Sequence, residues 1–118
     1  PLVGPSSILL ALIASGFNGQ HFLFHGYLPI EKNYRIKKIK ELELNSKRDK
    51  QTHIFMETPF RNMQLLSDIL NTCHPETQLC IAADITGINE FIQTKSIYEW
   101  KKSLPELHKR TAIFLLST

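Results

Sequence analysis

The sequence predicts an α/β domain in which a mixed sheet of about five strands is covered by helices. Three features carry that prediction. Residues 52–56, Thr-His-Ile-Phe-Met, are rich in β-branched and aromatic residues and apolar on both faces, the mark of a strand inside a covered sheet. Two further apolar runs, Leu79 to Ala83 and Thr111 to Leu116, read the same way. Between the first two strands Met63, Leu66, Leu70 and Cys73 recur at helical spacing, with Leu65 and Ile69 widening the stripe. At 118 residues the chain suits a single domain, 1–118, that buries roughly two-thirds of its unfolded surface.

In chain order, Ile8 to Ala14 is apolar on every side of a helix and predicts a buried one, capped by Ser6 or Ser7 and closed by Gly16. Residues 21–27, HFLFHGY, alternate as a strand, with His21, Leu23 and His25 on one face and Phe22 and Phe24 on the other. Gly26-Tyr27-Leu28-Pro29 turns the chain into a helix marked by Ile36, Ile39 and Leu42, with Tyr34 near its start, and residues 45–50 read as a polar loop. After the strand at 52–56, Thr58 predicts an N-cap and Pro59 the first helical position, where no N–H is needed. His74-Pro75-Glu76 breaks that helix. Residues 85–95 read as irregular with a short edge strand near Phe91 to Gln93, and Ile97 to Ser103 as a brief helix carrying Trp100. Leu104-Pro105-Glu106 is a loop before the last strand.

Apolar residues make up 42% of the chain and charged residues 21%, a balance that argues against disorder. Cys73 and Cys80 show neither metal-ligand spacing nor a disulfide framework and read as reduced core residues of a cytoplasmic protein. The run Ile8 to Ala14 is too short to span a bilayer, and no basic segment precedes it as in a signal peptide. A start at Pro1, entering an apolar helical run almost at once, is the expected mark of a piece excised from a longer protein. Charge is unevenly placed. Residues 31–50 hold eight Lys/Arg against four Asp/Glu, while the remainder holds six against seven, so the whole net +3 comes from that segment. Such a run is either a solvated face or a phosphate-facing patch. It lacks the aromatic interleaving that a single-strand stacking platform uses.

No nucleophile triad, paired cysteine nucleophile, phosphate-binding loop or dinucleotide glycine fingerprint occurs. His21 and His25 share a strand face, but four strand residues span roughly 13 Å, too far for one ion with bonds of about 2 Å. The polar candidates lie where strands end: Glu57 and Arg61 after 52–56, and Asp84 after 79–83. In α/β sheets ligands gather at the carboxyl ends of strands. Each candidate also has a structural reading, with Glu57 as a cap, Arg61 solvated and Asp84 capping the turn that follows. The Gly4-Pro5-Ser6 turn suits an anionic group at a helix start, or serves as a plain N-cap.

Val3-Gly4-Pro5-Ser6, Gly26-Tyr27-Leu28-Pro29 with a basic helix behind it, Glu57-Thr58-Pro59-Phe60-Arg61 and Ala82-Ala83-Asp84-Ile85-Thr86-Gly87 occur in that order across nearly the whole chain. Together they resemble the C-terminal half of the tetrapyrrole (corrin/porphyrin) methylase superfamily, most of all its ribosomal RNA small-subunit methyltransferase I branch. That branch typically reads Pro-Gly-Pro-Ser, Gly-Phe-Leu-Pro, Glu-Ser-Pro-His-Arg and Ala-Arg-Glu-Leu-Thr-Lys. Here Phe60 replaces the histidine, Ala83 and Gly87 replace an arginine and a lysine, and Asp84 shortens the acid. Those departures mark a diverged homologue.

The resemblance implies a two-domain enzyme that holds S-adenosylmethionine in the cleft between its halves and methylates a cytidine 2′-hydroxyl of small-subunit ribosomal RNA. This chain would be one wall of that cleft, the N-terminal domain being absent. On that wall the resemblance implies cofactor contacts from Gly4, Pro5, Ser6, Met56, Thr58 and Pro59, and an acid/base or orienting role for Glu57 and then Asp84. RNA contacts would come from Lys32, Arg35, Lys37, Lys38, Lys40 and Arg61. No metal or membrane is implied. A homodimer is implied, with apolar residues around Phe17, Phe22, Tyr27 and Phe60 contributing to it. The alternatives are a methylase acting on an anionic tetrapyrrole and a non-catalytic dimerisation or binding module. The isolated chain is expected to be inactive, since small-molecule sites normally bury most of their ligand.

Overall fold

A computed structural model describes residues 5–17 and 19–118, and in it the apolar runs become strands of one sheet. The chain passes through α1 (Pro5–Ser15), β1 (Phe22–Tyr27), α2 (Lys32–Asp49), β2 (Thr52–Met56) and α3 (Asn62–Thr72), then β3 (Gln78–Ala83), β4 (Phe91–Ser96), α4 (Ile97–Lys102) and β5 (Ala112–Ser117). The sheet order is β1-β2-β5-β3-β4. β1 and β2 are parallel, whereas β5 lies antiparallel between β2 and β3, and β4 is antiparallel to β3. The predicted five-stranded mixed α/β sheet is therefore present. The last strand enters the middle, which is why Ala112 to Leu116 needs apolar residues on both faces. Because β2 and β3 run the same way, their carboxyl ends meet one edge of the sheet, where β5 begins.

Each face of the sheet has its own core. Phe55, Ile81, Phe114 and Leu116 pack with Ile39 and Leu42 of α2, Leu66 and Ile69 of α3 and Trp100 of α4. Ile54, Cys80, Ile113 and Leu115 pack under Ala11 and Leu12 of α1. The expectation that Ile54, Phe55, Ile81 and Ile113 are interior holds, all being buried. Trp100 satisfies its one donor by an indole N–H bond to Leu79 O at 2.8 Å, fixing the short α4 against β3.

Four expectations are corrected. The first helix is not buried all round: Leu9, Leu10 and Ile13 are exposed, because α1 covers its sheet face alone and nothing among the described residues covers its outer side. α2 absorbs most of the expected loop at 45–50. Its last turn is held by Ser46, whose buried hydroxyl donates to Gln51 O, and Lys50 ends it in the left-handed conformation. Thr58 and Pro59 do not start α3. Arg61 N–H closes a turn on Thr58 O, and the helix begins at Asn62. β4 is longer than expected, all six residues from Phe91 to Ser96 pairing with β3; its polar Gln93, Thr94 and Lys95 belong to an edge strand that faces water.

Candidate functional site

β1 and β2 end side by side, and β1 is deflected there. Gly26 takes φ +68°, a conformation open to glycine, and the register slips between Phe24 and Tyr27. The exits of the two strands open a cavity of about 760 Å³. Tyr27, Pro29 and Ile30 line one side, Glu57, Thr58 and Arg61 another, and Lys38 reaches in from α2.

Glu57 is the buried charge of this cleft, its side chain 2% exposed. Oε1 accepts the backbone N–H of Thr58 at 2.7 Å and lies 3.3 Å from Arg61 Nε. The latter contact is off the N–H axis, so Arg61 Nε has no hydrogen-bond partner among the described residues. The guanidinium is held beside Glu57 by charge, its Nε buried against the carboxylate.

Asp84 forms a second pair further along the edge. It sits at φ +51° just past β3, and its Oδ2 accepts from Arg110 Nε at 2.7 Å. Arg110 also donates to Asn89 O, tying down the β3–β4 loop. One strand, β5, separates the ends of β2 and β3, so the strand ends that carry the two carboxylates stand about 10 Å apart by strand spacing. They form no dyad; each has its own arginine. The corner between them is clamped. Asn62 Nδ2 donates to Leu107 O and Arg110 O, and Lys109 N–H donates to Pro59 O.

Other reactive groups are set up for structure. Burial pushes the thiol pKa of Cys73 up, helped by Glu43, and burial also raises that of Cys80, so neither is a thiolate nucleophile. His25 pairs with a histidine of the next strand. Its Nε2 lies 2.8 Å from Nδ1 of buried His53 across the β1–β2 pair, the rings stacked at 5.0 Å. Burial, then the neighbouring His25 and Lys38, lowers the pKa of His53 to about 4. Among the described residues no three His, Cys, Asp or Glu side chains group as metal ligands, and no helix is long and apolar enough to cross a membrane.

No family model matches the chain. Curated relatives do match it over nearly its full length. It is 30% identical over 120 residues to a ribosomal RNA small subunit methyltransferase I of Buchnera aphidicola subsp. Baizongia pistaciae, covering 99% of this chain and 40% of that protein. Similarity to the protein of the same description from Thermotoga maritima is 36% over 110 residues, 88% of this chain and 47% of the other. The chain thus spans less than half the length of these relatives. Among solved structures, the methyltransferase CobJ superposes with a TM-score of 0.60 at 16% identity over 94% of this chain and 47% of its own. Cobalt precorrin-4 methyltransferase CbiF gives 0.58 at 12% identity over 94% and 48%. At these identities the likeness to the two solved methyltransferases is one of fold.

On this domain the basic helix splits. Lys32, Lys37 and Lys40 are exposed, while Lys38 is half-buried, 3.6 Å from Glu41, and lines the cleft. Arg35 is not on the solvent face. It is 2% exposed, its Nε donating to Asp68 Oδ2 at 2.6 Å and Nη1 to Ile30 O. One turn separates it from Ile39, so the helical period turns it toward α3 with the apolar stripe. Of the expected cofactor contacts, Gly4 lies outside the described residues, and so do the side chains of Pro5 and Ser6. Met56 and Thr58 stand at the end of β2, with Thr58 in the cleft wall and Pro59 next to it. Lys38, expected as an RNA contact, lines the cleft; Tyr27 and Arg110 were not readable as site residues, because strand register and the insertion of β5 bring them to the edge.

Proposed function

We propose that the protein carrying this chain is an S-adenosylmethionine-dependent methyltransferase of ribosomal RNA, cytoplasmic and homodimeric, with this chain as one half of a two-domain enzyme. The observation that carries this reading is the similarity, over nearly all of the chain, to proteins described as ribosomal RNA small subunit methyltransferase I. The fold likeness to CobJ and CbiF supports the architecture; at 16% and 12% identity it carries no tetrapyrrole substrate. Exposed Leu9 and Ile13 of α1 and Phe22, Phe24 and Tyr27 of β1 support burial against a partner surface.

The cleft fits part of a cofactor that bears a sulfonium, a carboxylate and an adenine. Glu57 offers a buried negative charge to the cation, and the partly exposed guanidinium of Arg61 a positive one to the carboxylate. The bound cofactor supplies an already activated methyl group, so alignment is the main task of the protein. Thr58 and Pro59 fix one wall. In this reading Glu57 takes the proton of the acceptor hydroxyl, and Asp84, held by Arg110, orients the loop beside it. The test is methyl transfer from labelled S-adenosylmethionine by the full-length protein to small-subunit ribosomal RNA or to a porphyrin. Glu57→Gln should lower kcat/KM on RNA by about tenfold or more. Transfer to the porphyrin alone would overturn the RNA reading, and an unaffected Glu57→Gln enzyme would remove Glu57 from the chemistry.

A further inference from the structure

We infer that Phe60 and His108 form a stacking platform for one unpaired base of the RNA, an inference that rests on the ribosomal RNA reading above. Phe60 is the most exposed aromatic side chain among the described residues, 71% exposed. It does not hang loose. Its ring meets that of exposed His108, 48 positions away, edge-on at 5.9 Å between centroids and 73° between planes. Both rings sit on backbone that is tied down: Lys109 N–H donates to Pro59 O, Asn62 bridges Leu107 O and Arg110 O, and His108 N–H donates to Glu106 Oε1.

The surroundings select the partner. Arg61 follows Phe60 on one side, exposed Lys109 follows His108 on the other, and the cleft of Glu57 opens beside them. Two exposed rings meeting at 73°, with exposed Lys109 next to His108 in the chain, suit a flat base with a phosphate beside it. Charge favours a polyanion over a second copy of a chain that is itself net positive. Every base has a stacking face, so the platform holds a flipped-out nucleotide beside the cleft without reading its identity.

The probe is a short single-stranded RNA carrying 2-aminopurine, titrated with the full-length protein at low salt. Stacking on Phe60 should quench the fluorescence, and Phe60→Ala should abolish the quench and weaken affinity by about five- to hundred-fold. Phe60→Leu keeps apolar bulk without a π face and should behave like Phe60→Ala, whereas Phe60→Trp should bind as wild type. Log–log salt dependence should keep its slope in the Phe60 variants and fall by about one in Lys109→Ala. RNA binding that is unchanged in Phe60→Ala overturns the platform and leaves the RNA reading standing. An absence of RNA binding by the wild-type protein overturns both. A Phe60→Ala protein that changes its sedimentation but not its RNA affinity would make the ring a protein contact and end the inference.

Discussion

Removing either partner of the Arg35–Asp68 pair should destabilise the fold more than any surface change in α2. The two side chains are 2% and 4% exposed by residue, and their 2.6 Å contact joins α2 to α3. Arg35 Nη1 is satisfied by Ile30 O, but Nη2 is buried with no partner among the described residues, so the arrangement already carries one unmet donor. Lys32 approaches Asp68 only to 3.9 Å and is itself exposed, too weakly placed to replace Arg35. Asp68→Asn or Arg35→Ala leaves an uncompensated buried charge, and such changes cost about 3–5 kcal/mol. Replacing both at once, Arg35→Met with Asp68→Leu, removes the desolvation penalty along with the attraction and should recover most of that loss. Urea unfolding of the wild type, both singles and the double gives the four corners of the cycle. RNA affinity of the folded full-length Arg35→Met/Asp68→Leu protein should match wild type. Singles within about 0.5 kcal/mol of wild type would refute the buried-pair argument, and a double variant that keeps stability but loses RNA binding would restore Arg35 to the RNA face.

Stability should also fall with acid in a defined window. The His53 pKa is depressed to about 4 in the folded chain against an ordinary 6.5, so the unfolded chain binds more protons between those values and stability drops as pH falls from 6.5 to 4; the full effect is on the order of 2–3 kcal/mol, and His53→Phe should flatten the dependence seen in urea titrations across that range. Reversing Lys37, Lys38 and Lys40 to Glu in the full-length protein should weaken RNA binding by about tenfold or more at low salt, measured by fluorescence anisotropy, because several phosphate contacts go together. Calorimetry of the 118-residue chain with S-adenosylmethionine should show almost no binding, since one cleft wall leaves much of the ligand in water; one-to-one binding at micromolar affinity would place the whole cofactor site inside this chain.

The fold was legible where the apolar pattern left one solution. Ile54, Ile81 and Ile113 sit in apolar runs too short to be helices, and the sheet interior is where they are found. Periodicity failed where a tertiary partner decides. Arg35 carries a surface residue's charge, yet Asp68 on α3, 33 positions away, draws it into the interior. The helix 5–15 looks buried on every side by composition, but one helix on a sheet face can bury only the side it turns to that sheet. At the site, Glu57 and Asp84 were readable because a polar residue that follows an apolar strand must lie at a strand end. Their lack of cooperation was not readable. It follows from β5, the last strand in the chain, inserting between β2 and β3 and bringing Arg110 with it. The same insertion carries His108 to Phe60. A late strand in the centre of the sheet thus fixes both which carboxylate meets which arginine and which ring meets which, and neither local pattern nor composition encodes those pairings.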